Sequence, residues 1–153
     1  MYEERVAKAV ENFKQGYNCA QSVVAAFADL YGFTPEQAFK MAASFGGGIG
    51  RMRMTCGAAC GMFMLAGLET GAVDGADRQG KSYNYQVVQE LAAKFREING
   101  SLICAELLGL KKGTQITPNA EARTSEYYKK RPCSAMVETG ARLFAEFLAS
   151  RRS

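Results

Sequence analysis

Histidine and tryptophan are both missing from this 153-residue chain. Without an imidazole there is no Ser-His-Asp or Cys-His catalytic pair, no His-containing zinc site and no Cys-x-x-Cys-His haem attachment. Cys-x-x-Cys is absent too, which removes the thioredoxin-type pair. The chain has no long apolar run: Ala58 to Leu68 is the longest, far below the roughly 20 residues a membrane span needs. The opening MYEERVAKAVENFK is charged and amphipathic and lacks the apolar centre of a secretory leader, so a cytoplasmic protein is expected. The excess of one sign of charge is also small. The formal net charge of +4 is mild and spread out, with no basic, aromatic-rich motif, which argues against nucleic acid as a partner.

What remains is a globular composition, 48% hydrophobic and 22% charged. No β-alternation of useful length and no repeat occurs. Apolar residues recur instead with helical spacing. Val6, Ala9, Val10 and Phe13 form a first helix that Gly16 ends. Asn18, with Gln21 three residues on, caps a second helix carrying Cys19, Val23, Phe27 and Leu30, closed by Gly32. Thr34-Pro35-Glu36-Gln37 opens a third, with Ala38, Phe39, Ala42 and Phe45. Thr55 is read as the cap of a fourth, ending near Gly71.

A long helix follows, roughly Ser82 to Asn99, with Val87, Val88, Leu91, Ala92, Phe95 and Ile98 on its apolar face and Gly100 as its stop. Ser101 recaps a short segment holding Cys104, Leu107 and Leu108. Lys111 to Asn119 is loop, and Glu121 to Arg131 is too polar to assign. Pro132 opens the last helix, whose core face is Met136, Val137, Gly140, Ala141, Phe144 and Leu148. The expectation is one all-α domain over residues 1–153, a bundle of about six to seven helices with cysteines at helix N-termini.

Five cysteines in a compartment where structural disulfides are uncommon call for a metal, redox or burial role. Four of them fall in the first turn of an expected helix: Cys19, Cys56, Cys104 and Cys133. Unpaired backbone N–H groups and the helix dipole favour a thiolate there, and nearby cations add to the effect. Arg51 and Arg53 precede Cys56; Lys129, Lys130 and Arg131 precede Cys133. Convergent N-termini would make a pocket for negative charge, whether thiolates, a thiolate-bound metal centre or an anionic substrate.

Just upstream of Cys56 lies a glycine-rich loop, FGGGIG. It contains Gly47 and Gly48 but lacks the pattern of a nucleotide-binding loop. Within the fourth helix, Gly57 and Gly61 leave a bare stripe where a backbone or cofactor could approach. Cys60 shares a face with Cys56, one turn on. The run Met52, Met54, Met62 and Met64 reads as gap-filling core.

These stretches carry a resemblance. GYNCAQSV around Cys19, GGGIGRMRMTCGAACG with its CGAxxG signature at Cys56 to Gly61, ICAELLG at Cys104, and Cys133 near the last helix are similar to the C_GCAxxG_C_C family of redox-active proteins, over nearly the whole chain. The resemblance implies that the four family cysteines are Cys19, Cys56, Cys104 and Cys133, while Cys60 occupies a variable position of the signature. It also implies an accessory role beside a transporter.

Two chemistries stay open on the sequence. The four thiolates hold an iron–sulfur cluster, whose negative charge the helix ends would offset, or pairs of cysteines cycle between dithiol and disulfide, with Cys56 as leading nucleophile and Cys60 as resolving partner. A closed zinc site suits ligands so scattered less well than paired knuckles. From a different class, the chain is a non-catalytic anion- or protein-binding module using the glycine loop with Arg51 and Arg53. A redox partner and assembly into a homo-oligomer are left open.

Overall fold

The computed structural model describes residues 2–152, and the protein is all-α. Eight α-helices occur among the described residues, rather than six or seven: α1 Glu3–Lys14, α2 Cys19–Ala25, α3 Pro35–Ala42, α4 Gly57–Thr70, α5 Arg78–Asn99, α6 Cys104–Leu107, α7 Ser125–Lys130 and α8 Cys133–Arg152. The addition is α7, inside the polar stretch, capped by the Thr124 hydroxyl, which accepts from the Tyr127 N–H.

The organising element is α4. It is apolar on every side, the pattern of a helix surrounded by protein, and its residues Gly57 to Met62, Leu65 and Ala66 are buried. It lies against α2, α5 and α8, while α1 packs on α8 and α2, and α3 on α2. Glycines make the closest approaches. A Cβ on Gly61 would stand 3.0 Å from the Ala20 carbonyl oxygen, and one on Gly57 3.2 Å from the Ala20 N. On the other side, a Cβ on Gly140 of α8 would stand 2.9 Å from the Ala58 carbonyl oxygen. The bare stripe on α4 is thus filled by the backbone of α2. Gly61 packs there alone, while Gly57, whose Cβ position is also 2.9 Å from the Phe45 carbonyl oxygen, borders the cavity described below as well.

Burial of Phe13, Phe27, Phe95, Phe144, Met62, Leu65 and Leu148 completes the core, with Phe27 and Phe144 edge to face at 5.1 Å. Both capping boxes expected at Asn18/Gln21 and Thr34/Gln37 are present. The expected face of α8 is buried throughout. On α5, Ile98 lies one turn beyond the packed region and is exposed. Met52 and Met54 are exposed as well; of that methionine run only Met62 is fully buried, with Met64 partly so. No helix among the described residues is long and apolar enough to cross a membrane.

Candidate functional site

Four local structures bring the cysteines together. Cys19 is the first residue of α2, and its position follows from Asn18. That side chain accepts from the Gln21 N–H at 2.8 Å and donates to the Ala43 carbonyl at 3.0 Å, tying the start of α2 to the start of the glycine loop.

Residues 46–54 then wind through a run of left-handed backbone. Gly47, Gly48 and Gly50 have positive φ, and so do Ile49, Arg51 and Arg53 at 60–67°. Three non-glycine residues in that region are unusual. The loop is held by its own hydrogen bonds, among them Gly50 N–H to Ser44 O at 2.7 Å, Arg51 N–H to Gly46 O and Met54 N–H to Gly48 O.

Cys56 and Cys104 are joined by a short antiparallel bridge. Thr55 faces Ile103, flanked by Cys56 N–H to Leu102 O at 2.7 Å and Cys104 N–H to Met54 O at 2.6 Å. Thr55 is therefore not the cap of α4. Its backbone is committed to that bridge, and Cys56 itself is the N-cap residue, without a cap hydrogen bond from its side chain. Nor does Ser101 cap α6: Ile103 holds that position, and the Ser101 hydroxyl donates to Glu106 and accepts from the Ile103 N–H. Cys104 then begins α6 and Cys133 begins α8.

The result is a pocket of about 430 Å³ lined by Cys19, Cys56, Cys104 and Cys133. Its wall includes Gly47, Gly48 and Gly57 together with Arg51, Arg53, Arg123 and Arg131. A Cβ on Gly48 would meet the Cys104 Cβ at 2.6 Å. Only a glycine lets the loop lie so close to α6. Gly61 and Cys60 are not part of this wall; the Cys60 thiol donates to the Thr55 carbonyl at 3.8 Å instead. Lys129 and Lys130 are exposed and also lie outside the lining.

The electrostatics differ from the sequence expectation. Burial pushes the Cys56 thiol up to about 12, overriding the pull of the Ala59 and Ala58 N–H groups. Burial raises Cys60 to about 11, and it raises Cys104 despite Arg53, whose Nη1 donates to the Cys104 sulfur at 3.7 Å. Arg53 thus serves Cys104 rather than Cys56.

The acidified thiol is Cys133. A hydrogen bond from Cys19 lowers it to about 7 against the cost of burial, with Arg131, Arg123 and Arg53 adding their charge. Cys19 is correspondingly held well above the ordinary range as the protonated donor. All five cysteines are free thiols.

Four residues of the wall, Glu121, Arg123, Tyr127 and Arg131, come from the polar stretch that the sequence leaves unassigned. Arg123 donates to the carbonyls of Phe13 and Tyr17, both at 3.0 Å, and stacks on the rings of Phe13 and Tyr127. This clamps the end of α1 to α7. Arg51 donates to the Thr117 carbonyl at 3.2 Å and to Glu121 at 3.4 Å, while Arg131 donates to the same Glu121 oxygen. The one available signal was the basic run before Cys133.

The four thiols do not amount to a metal ligand set. Among the described residues no three Cys, Asp or Glu side chains are grouped so as to hold a metal ion. A cluster ligated by four cysteines needs all four sulfurs around one centre, a grouping not present among the described residues.

Fold and pocket together define an all-helical protein whose helix starts deliver thiols to an arginine-lined cavity. The chain belongs to the C_GCAxxG_C_C family, described as "putative redox-active protein", which matches residues 17–147. No curated protein and no solved structure matches it.

Proposed function

We propose that the pocket carries out thiol–disulfide exchange, with Cys133 as the attacking thiolate and Cys19 as the resolving thiol. The observation that carries this reading is that Cys19 and Cys133, each the first residue of its helix, line one cavity close enough for each thiol to shift the other's acidity. A thiol with a pKa near ambient pH combines thiolate population with nucleophilicity, and Cys133, at about 7, meets that condition.

The Cys133 thiolate attacks one sulfur of a disulfide, whose S–S bond breaks and releases a thiolate. A mixed disulfide is left on Cys133. Cys19 then loses its proton to the departing thiolate and attacks the Cys133 sulfur, expelling the second thiolate, which takes a proton from water. Two protein thiols are oxidised to one disulfide and the incoming disulfide is reduced to two thiols. Cys56 and Cys104, raised by burial, stay protonated through this step.

The test is mild oxidation followed by peptide mapping. The expected product is a Cys19–Cys133 disulfide, lost in Cys133→Ser and Cys19→Ser, with helical content retained. Oxidised protein in which these two remain free thiols overturns the assignment.

The arginines of the same wall favour a second reading, a non-catalytic anion-binding accessory module working beside a transporter. On that reading the serine variants lose stability at most and keep anion binding.

A further inference from the structure

The rim of the pocket carries an anion of its own. Glu121 lies on the irregular segment between α6 and α7, and one of its carboxylate oxygens accepts from both Arg51 and Arg131. These guanidinium side chains are largely buried, each 19% exposed, whereas the Glu121 side chain is 40% exposed. The carboxylate therefore reaches in from the solvent side to arginines that belong to the cavity wall.

Residues 111–122 form no helix or strand. Among the described residues, the hydrogen bonds that reach this segment from elsewhere come from Arg51 and Arg131, apart from the local Thr124 N–H to Ala122 O. Arg51 contacts it twice, at the Thr117 carbonyl and at Glu121. The segment is thus fastened over the pocket by the same two cations that a ligand would use. Planar guanidinium groups favour carboxylates, which accept two parallel N–H bonds. A cavity of about 430 Å³ is the size of a small-molecule site.

We infer that the pocket selects a small disulfide bearing a carboxylate, which takes the Arg51–Arg131 clamp from Glu121 as its sulfur reaches Cys133. This rests on the exchange reading for its chemistry and adds the substrate class and the recognition residues. Cys133 attacks the S–S bond of the bound disulfide, the carboxylate-bearing thiolate leaves, and Cys19 resolves the mixed disulfide as described above. Glu121 acts as a positioning residue: it occupies the clamp when no ligand is bound and competes with anions for it.

The experiment uses the reduced full chain and three probes: dithiodiglycolate with two carboxylates, neutral hydroxyethyl disulfide, and dicationic cystamine. Formation of the mixed disulfide on Cys133 is followed by acid quench and intact mass. Each rate is divided by the rate of the same probe with free 2-mercaptoethanol, which removes intrinsic leaving-group differences.

The normalised rate should be about tenfold higher for dithiodiglycolate than for the neutral probe, with cystamine slowest. The preference should vanish in the Arg51→Gln/Arg131→Gln variant. A general change in Cys133 acidity in that variant cancels, because it scales all three rates alike. Glu121→Gln should raise the rate with dithiodiglycolate and lower the concentration at which it saturates, a gain that misfolding cannot produce.

Equal normalised rates for the three probes, a preference that survives loss of both arginines, or no gain in Glu121→Gln would each overturn the proposal. Calorimetry on Cys133→Ser separates this from the exchange reading. Dithiodiglycolate binding there, lost when Arg51 and Arg131 are also replaced, supports the anion site even if Cys133 proves unreactive. No binding overturns the anion site even if exchange occurs.

Discussion

Among five cysteines one is set apart by what surrounds it. Cys56, Cys60 and Cys104 are buried with too little compensating charge, and their thiols move up; Cys133 faces a donor thiol and three arginines, and moves down. Alkylation by iodoacetamide should therefore label Cys133 first, with a rate that rises through an inflection near pH 7 and levels off above it. Peptide mapping that finds Cys56 labelled first would contradict this ordering. Replacing Cys19 by alanine removes the donated S–H. The inflection should then move toward the ordinary thiol value of 9.0, and an unmoved inflection would show that the arginines alone acidify Cys133. The helix-start positions of these cysteines were legible because the Asn18 capping box, Pro132 and glycine stops punctuate the chain, even though Thr55 and Ser101 are not the caps they resemble. Which thiol ionises was not, since desolvation and distant arginines decide it.

At the scale of elements, α4 and α2 show how glycine serves packing. Gly61 accepts no Cβ without pressing the Ala20 carbonyl at 3.0 Å and Val23 at 3.1 Å, whereas nothing lies within 4 Å of the Cβ position of Gly67 on the same helix. Gly61→Ala should cost about 1–3 kcal/mol through overpacking, and Gly67→Ala should add about 0.5–1 kcal/mol of stability through the lower entropy loss of alanine. Urea midpoints of the two variants check this, and a pair of equal effects would remove the close-packing argument. The capping boxes of α2 and α3 lay open in the sequence, because the whole device sits within four residues. Thr55 looked like another cap, but the antiparallel bridge to Ile103 claims its backbone. That competitor comes from a segment almost fifty residues away, beyond the reach of local pattern.

Over the whole molecule the thiols make stability depend on pH in two directions. Between about 7 and 9.0 the unfolded chain still holds the Cys133 proton that the folded protein has released, so stability should rise with pH. Above 9.0 the sign reverses. The unfolded chain gives up the protons of Cys56 and Cys60, which the folded protein retains to about 12 and 11, so those groups destabilise it increasingly. Urea midpoints measured across this range should pass through a maximum, and Cys56→Ala should lessen the alkaline decline. A decline of the same size in that variant would mean that Cys56 is not the buried thiol described.

The sequence by itself determined the all-α class, the face of α8, the caps of α2 and α3, and the placement of four cysteines at helix starts. These depend on hydrophobic period and on contacts within a turn, both of which are written locally. Tertiary structure alone decided that the four starts share one cavity, that Gly57 and Gly61 receive a helix backbone, that Arg53 contacts Cys104, and that Glu121 bridges Arg51 and Arg131. Burial and long-range charge carry no local signature: a thiol's proton affinity is set by which remote groups the fold brings to it. The cysteine pattern could therefore announce a cluster, while the lowered pKa of Cys133 within it depends on the packing of α2 against α4 and on the Arg123–Arg131 segment docked on the end of α1.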